Sequence, residues 1–447
     1  MILKRIKQKM EYLTKNTLSA DYHCDLTGAK NTADVQVVVY TLGCKTNQYE
    51  GETLVKEFIK RGVSASDKMQ VAQVYVINTC SVTCEADRKS RQFCRRASSL
   101  NPSAKIYVCG CSVKFGESNF AGATIIAGAT QKEKIVDIVL KNHNLQSVLK
   151  DSKIVKDCVQ VSNSSLRMAR KYIKIQDGCD EFCKFCIIPY LRGRSKSRNI
   201  EEIVAEISDT KAHEIILTGI NVTAFGKDNG TSLLQLVSKI DTTARIRLSS
   251  LGCSVIDEPL LKVMLDKNFC NHFHLSLQSG SNNVLSAMNR KYTTYQFASK
   301  VDMIRRIFGD NTCISTDIIV GYPTEQDCDH RETLQFAQQI GFGDAHLFKY
   351  SSRPHTAAAK LKPLPSNVVD GRFGELNQVV QKSKTKFLQG QINLTHQVCF
   401  ENTNNGGVPQ GFTRNYCKVE SKYATKNSLQ EVKILGIQGD ILQCEII

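Results

Sequence analysis

A chain of 447 residues, at roughly 150 per domain, has room for about three domains and excludes a single small module. Hydrophobic residues at 41% and charged residues at 23% exclude collagen-like and wholly disordered chains, and no run nears the roughly 18 apolar residues of a membrane helix. Lys and Arg outnumber Asp and Glu by 59 to 43, a net charge of +16 that favours a polyanionic partner such as nucleic acid, with plain solubility as the alternative.

Residues 1–34 read as a polar extension, with a basic stretch at 3–13 and no apolar core of a secretory signal. The expectation is a cytoplasmic protein with reduced thiols, and clustered cysteines among 18 then point to metal ligation or catalysis. From 35 to 145 a strand-loop-helix rhythm predicts a Rossmann-like parallel sheet. Its strands are Val37–Tyr40, Val74–Ile77 and Lys105–Val108, with helices at Glu50–Arg61 and Glu85–Ser99. The three strands run into Cys44, Cys80 and Cys111. Ligands of open parallel sheets bind beyond the carboxyl ends of the strands, so these cysteines should converge on a metal, the alternative being small buried thiols. Cys111 is taken as the ligand and Cys109 as a core residue.

Residues 146–165 read as a polar linker. From 166 to 385, strands at Tyr172–Ile175, Glu214–Leu217, Ile246–Ser249, His272–Leu277, Ile314–Val320 and Asp344–Phe348 alternate with helical stretches. That series predicts a partial (β/α)6 barrel with its site at the strands' carboxyl ends. From 386 to 447 the composition suits the short antiparallel strands of a small β-barrel.

The strongest signal follows the first strand of the barrel series, where Cys179, Cys183 and Cys186 stand at spacings of three and two intervening residues. Zinc normally closes with four protein ligands, and no fourth Cys or His follows at finger spacing. Three thiolates on a [4Fe-4S] cluster would instead leave one iron open to a small molecule. Phe182, Phe185 and Tyr190 would keep water from such a cluster and offer a purine a stacking face, or belong to the core. Between Lys150 and Arg198 twelve basic residues face five acidic ones, so the excess charge surrounds this triplet.

This loop resembles that of radical S-adenosylmethionine (SAM) enzymes. Thr41-Leu42-Gly43-Cys44-Lys45-Thr46-Asn47-Gln48-Tyr49-Glu50, Asn78-Thr79-Cys80 and Gly110-Cys111 resemble the three-cysteine N-terminal domain of the methylthiotransferases. The stretches Gln176 to Cys179, Leu191 to Ser195, His274 to Gly280, Met288 to Arg290, Thr316 to Gly321 and Tyr350 to Arg353 are similar to the same family. Gly411 to Tyr416 looks like a TRAM domain, a small RNA-associated β-barrel, although that tail carries only six basic against five acidic residues. A departure lies at Tyr322 and Thr324, where the family usually shows Phe and Gly.

The resemblance implies two [4Fe-4S] clusters: one on Cys179, Cys183 and Cys186 that binds SAM, and one on Cys44, Cys80 and Cys111 that delivers sulfur. It implies replacement of an adenine C2–H by a methylthio group, work that needs a radical. The wording around Cys44 is similar to the branch acting on N6-threonylcarbamoyladenosine at position 37 of tRNA, near the anticodon. N6-isopentenyladenosine 37 is the alternative substrate, a ribosomal-protein aspartate a remoter one, and a non-catalytic zinc or iron-sulfur nucleic-acid-binding protein the rival class. SAM or substrate contacts are expected from Phe185, Thr218, Gly219, Gln278 and Asp317, and tRNA phosphate contacts from Arg192, Arg194, Lys196 and Arg198. A flavodoxin- or ferredoxin-like electron donor is expected; the sulfur donor and oligomeric state are left open.

Overall fold

A computed structural model describes residues 37–82, 84–113, 120, 122–127, 134–142, 169–404 and 406–447. The expected extension and linker lie outside the described residues. Strands β1 (Val37–Thr41), β2 (Ala65–Ser66), β3 (Val74–Thr79), β4 (Lys105–Gly110) and β5 (Thr124–Ala127) form one parallel sheet in the order β2-β1-β3-β4-β5. The three central strands are covered on both faces, which is why they read as unbroken apolar runs. Val37, Val39, Val74, Val76, Tyr107 and Cys109 pack under the helices Lys45–Lys60 and Ile135–Asn142. Val38, Tyr75, Ile77 and Val108 meet the opposite helix, Cys84–Leu100.

The second unit begins with β6 (Arg170–Asp177), edged by the short antiparallel β7 (Lys196–Ser197), and continues through β8 (Glu214–Gly219) and β9 (Arg245–Leu248). Strands β10 (His272–Gln278), β11 (Cys313–Val320) and β12 (Asp344–Lys349) form a second parallel run. Bridges between Ile246 and Phe269 and between Leu251 and Leu275 join the two runs into six strands around one core. The intervening helices start on side chains that accept backbone N–H groups, Asn199, Ser232, Asp257 and Thr293. The long helix Ser366–Gln389, which no sequence cue drew, packs on β11, β12 and Asp327–Ile340 and runs through the expected boundary at residue 386. Its buried positions, Arg372, Leu376, Val380 and Leu388, are too sparse for a strong helical period.

The last five strands, β13 (Thr395–Thr403), β14 (Pro409–Phe412), β15 (Lys418–Glu420), β16 (Ser428–Gln438) and β17 (Ile441–Ile446), close into a small barrel around Val398, Phe400, Val419 and Leu442. This barrel docks on the amino ends of the (β/α)6 strands through a buried charge cluster. Glu214 accepts from Arg170 Nε at 2.7 Å, Arg245 Nε at 2.6 Å and Arg247 Nη2 at 2.9 Å, and the second acid, Glu401 of β13, pairs with Arg170 at 2.8 Å. The guanidiniums then reach across: Arg245 donates to the carbonyls of Gln397 and Phe412, and Arg247 to those of Thr413 and Arg414. Tyr416 stacks on His272 at 4.3 Å and on Phe412 at 4.6 Å, with Arg247 4.8 Å above its ring. Despite its burial, Glu214 is held well below the usual carboxylate range by three guanidiniums, Arg247, Arg245 and Arg170. Removing one partner of a buried ion network costs about 3–5 kcal/mol because the others stay buried without a counter-charge. Glu214→Ala is therefore expected to lower the thermal unfolding midpoint by several degrees in circular dichroism; an unchanged midpoint would show that the cluster is not holding the two barrels together.

Candidate functional site

The first trio sits where β6 ends. Gly178 adopts φ +68° and a Cβ there would stand 1.9 Å from the Arg194 carbonyl oxygen, so only glycine lets the loop close against Gly193 and Arg194. Cys179 N donates to Gly193 O, and Cys186 N to Cys183 O. Gln176 organises the turn: its amide donates to Asp177 O, Gly178 O and Ser195 Oγ, while its oxygen accepts from Asn221 N. Three donors face the sulfurs: Glu181 N at 3.5 Å and Asn221 Nδ2 at 3.6 Å from Cys179, and Arg290 Nη1 at 3.2 Å from Cys183. Asn289 pins the loop from the other side through Glu181 O and Phe182 O. Phe182, in the left-handed region at φ +45°, meets Tyr190 edge-on at 5.9 Å under the Arg194 guanidinium. Burial pushes the Cys186 thiol up to about 12.

The second trio gathers beyond β1, β3 and β4. Cys44 is the exposed residue capping Lys45–Lys60, and Cys80 and Cys111 are buried. Gly43, at φ +99°, lies so close to Cys80 that a Cβ would fall 2.5 Å from its sulfur, and Gly110 is as tight against Thr79. Burial and the neighbouring Cys44 push the Cys80 thiol up to about 12. Cys109 lies in the sheet core, as expected. Cys111 instead packs on Ile187 and Leu191, immediately after Cys186, so the two trios are neighbours separated by the short helix Ile188–Arg192. The described cysteines are free thiols, and among the described residues no three His, Cys, Asp or Glu side chains close on a single metal ion. A four-iron cube holds its thiolates farther apart than one ion does, and neutral buried thiols that lose their protons on ligation fit such a group.

A buried ionic clasp fixes the trios relative to each other. Arg192, with 1% of its side chain exposed, makes two bonds of 3.0 Å to the Glu50 carboxylate, two of 2.8 and 3.0 Å to Asp177 and one of 2.6 Å to Asn47. Lys174 also binds Glu50, at 2.9 Å. Asn47 donates in turn to Leu42 O and Thr79 O, beside Cys44 and Cys80. From the far side of the barrel Arg353 reaches Ser81 and Asp87.

Arg192 is therefore corrected as a phosphate contact: its guanidinium is taken by carboxylates inside the protein. Arg198 is committed likewise, to Glu206 at 2.8 Å and Lys174 O, whereas Arg194, 75% exposed, and Lys196 face solvent. Gly411 to Tyr416 turns inward onto the barrel floor. Thr218 is buried, Gly219 lies against Gln176, and Gln278 at φ +74° ends β10 on the same rim as the cysteines. Phe185 packs beside Val284, Met288 and Tyr322, whose extra hydroxyl finds Ala287 O at 3.2 Å. Asp317 accepts from His274 Nε2 at 3.1 Å inside the barrel; burial raises its pKa, but that bond and the charges around it bring it below the ordinary value.

Known proteins place this geometry in a family. A model described as the Radical SAM superfamily matches residues 173–337, and one described as Uncharacterized protein family UPF0004 matches residues 36–127. A threonylcarbamoyladenosine tRNA methylthiotransferase of Aquifex aeolicus is 36% identical over 383 residues, spanning 79% of this chain and 90% of that protein. The chain belongs to the radical SAM methylthiotransferases. One of the same description from Bacillus subtilis is 34% identical, over 86% of this chain and 90% of its own length. A tRNA-2-methylthio-N(6)-dimethylallyladenosine synthase of Endomicrobium trichonymphae is 32% identical, over 91% and 99%. A radical SAM methyltransferase of Kitasatospora setae, solved with cobalamin and a [4Fe-4S] cluster, shares the fold at TM-score 0.51 and 11% identity, over 72% of this chain and 77% of that one.

SAM and [4Fe-4S] clusters are the cofactors of this methylthiotransferase, and the donor sets above suit them. Arg290, Asn221 and Gln176 were missed as site residues although Gln176 and Arg290 lie in stretches similar to the family; a lone basic or amide residue carries no spacing to read. Gly178→Ala is expected to lower the iron bound after anaerobic reconstitution from about eight to about four per chain. Full iron loading would mean that the loop tolerates the Cβ.

Proposed function

We propose that the protein methylthiolates C2 of N6-threonylcarbamoyladenosine 37 in tRNA. The observation that carries this reading is the pair of cysteine trios held side by side across one buried interface, in a chain whose relatives from Aquifex aeolicus and Bacillus subtilis bear that activity in their names. Cys179, Cys183 and Cys186 would hold the SAM-binding cluster and Cys44, Cys80 and Cys111 the second. With SAM bound, the two clusters supply radical chemistry able to break the C2–H bond, together with a methyl group and sulfur.

The chain's own residues do the placing. Arg290 and Asn221 put positive charge and an N–H against sulfurs that become thiolates on ligation. Gln176 and Gly219 hold the rim where Thr218 backbone, Gln278 and Phe185 would meet SAM, and Phe182 with Tyr190 shields the mouth from water. Asp317 would act lower in the barrel. An external one-electron donor of the flavodoxin or ferredoxin kind completes the scheme, which runs in the cytoplasm; no helix among the described residues is long and apolar enough to cross a membrane.

A second reading, N6-isopentenyladenosine 37, draws on the relative from Endomicrobium trichonymphae. Mass spectrometry of tRNA nucleosides from a strain lacking the gene separates them: the 2-methylthio form of threonylcarbamoyladenosine should vanish and return on complementation. Loss of the isopentenyl form instead would transfer the assignment.

Of the four expected phosphate contacts Arg194, whose exposed pair with Asp180 is screened by solvent, and Lys196 are the two whose side chains face solvent and can meet an RNA backbone. Each phosphate neutralised contributes about 0.7–0.9 to the slope of log affinity against log salt. The double variant Arg194→Gln, Lys196→Gln is expected to flatten that slope for tRNA by about 1.5, measured between 50 and 200 mM salt; an unchanged slope would put the RNA on another face.

A further inference from the structure

Lys45, the residue after Cys44, does not follow its neighbour to the surface. Its ammonium stands 5.8 Å from the Tyr416 ring, within electrostatic reach of Arg170 on β6, Glu214 on β8, Arg247 on β9, His272 on β10 and Asp317 on β11. A point that feels five successive strands is inside the barrel. The residue next to Cys44 thus carries one cation into the lumen, close to the Tyr416 ring.

Among the described residues that cation has no counter-ion. Among the described residues Lys45 makes no hydrogen bond and no ion pair; its ring contact with Tyr416 is its nearest favourable partner. The acids around it are occupied: Glu214 is shared by three arginines, Glu401 is taken by Arg170, and Asp317 is bonded to His274. A half-buried ammonium beside Arg170 and Arg247 is unfavourable until an anion joins it.

The geometry points to an anion subsite at Lys45 that takes the carboxylate of the threonyl group on N6 of the adenosine. This rests on the proposed substrate. C2 and C6 of adenine flank the same ring nitrogen, so a base whose C2 is presented between the trios can turn its N6 substituent down the lumen. A threonylcarbamoyl group ends in a carboxylate and meets Lys45 as a counter-ion. An isopentenyl group offers the ammonium nothing and leaves it buried without a partner, the kind of loss by which a polar site rejects an apolar analogue.

The test uses the reconstituted holoprotein and anticodon stem-loops read by fluorescence anisotropy. One loop carries N6-threonylcarbamoyladenosine, a second its carboxyl methyl ester, and a third N6-isopentenyladenosine. Wild type should bind the acid about 10- to 100-fold more tightly than the ester. Lys45→Gln should bring the acid's affinity down to the ester's while leaving the ester where it was, and Lys45→Arg should restore part of the preference. Equal binding of acid and ester by wild type, or an equal loss on both loops in Lys45→Gln, overturns the subsite. Should Lys45→Gln fail to load iron, the wild-type comparison of acid with ester decides alone. A wild type that takes only the isopentenyl loop refutes the substrate itself, a failure visible before any substitution.

Discussion

Arg192 carries a full charge into a place with almost no water, and the arrangement of both cysteine trios follows from how that charge is balanced. Its partners come from two separate stretches: Asn47 and Glu50 on the helix that starts after Cys44, and Asp177 at the end of β6, two residues before Cys179. A buried guanidinium without these acids would be severely unfavourable, whereas with them the pairing is close to neutral against an apolar substitute. The clasp therefore contributes orientation more than stability. It leaves one relative placement of the two units in which the Arg192 charge is matched, and in that placement Cys111 rests on the residue next to Cys186.

The same device recurs at the opposite end of the barrel. Glu214, at the amino end of β8, gathers Arg170 from β6 and Arg245 and Arg247 from β9, and the remaining N–H groups of Arg245 and Arg247 reach backbone carbonyls of the small C-terminal barrel. Several of the basic residues counted in the composition are thus structural, neutralised inside the protein by Glu214, Glu401, Glu50 and Asp177. The cysteine trios sit at the carboxyl ends of the strands and docking at the amino ends, a separation of the kind parallel barrels show generally. Lys45 links the two, since it starts beside Cys44 of the second trio and ends near the floor formed by Tyr416.

Tyr322 illustrates how a departure from a family pattern is absorbed. Its ring fills a pocket with Val284, Met288 and Ala358, and its hydroxyl bonds Ala287 O, so a phenol occupies a phenyl site without an unsatisfied polar group. The stretch Gly411 to Tyr416 shows the reverse: a sequence read for its association with RNA spends its side chains on holding the domain in place.

The sequence by itself determined the architecture and singled out the two cysteine trios that the fold brings side by side. Strands covered on both faces leave continuous apolar runs, glycines forced to positive φ sit where the loops turn, and three cysteines at fixed spacing are improbable without a shared ligand. Short or weakly apolar elements escaped it, namely β2, β5, Ile135–Asn142 and Ser366–Gln389, because their burial is set by neighbours distant in the chain. What only the tertiary structure decided is the use of each charge. Arg192 and Arg194 are two residues apart in one basic run, and nothing local says that one is sealed against Glu50 and the other open to solvent. Burial depends on what folds over a side chain, and here that cover comes from a helix some 140 residues away.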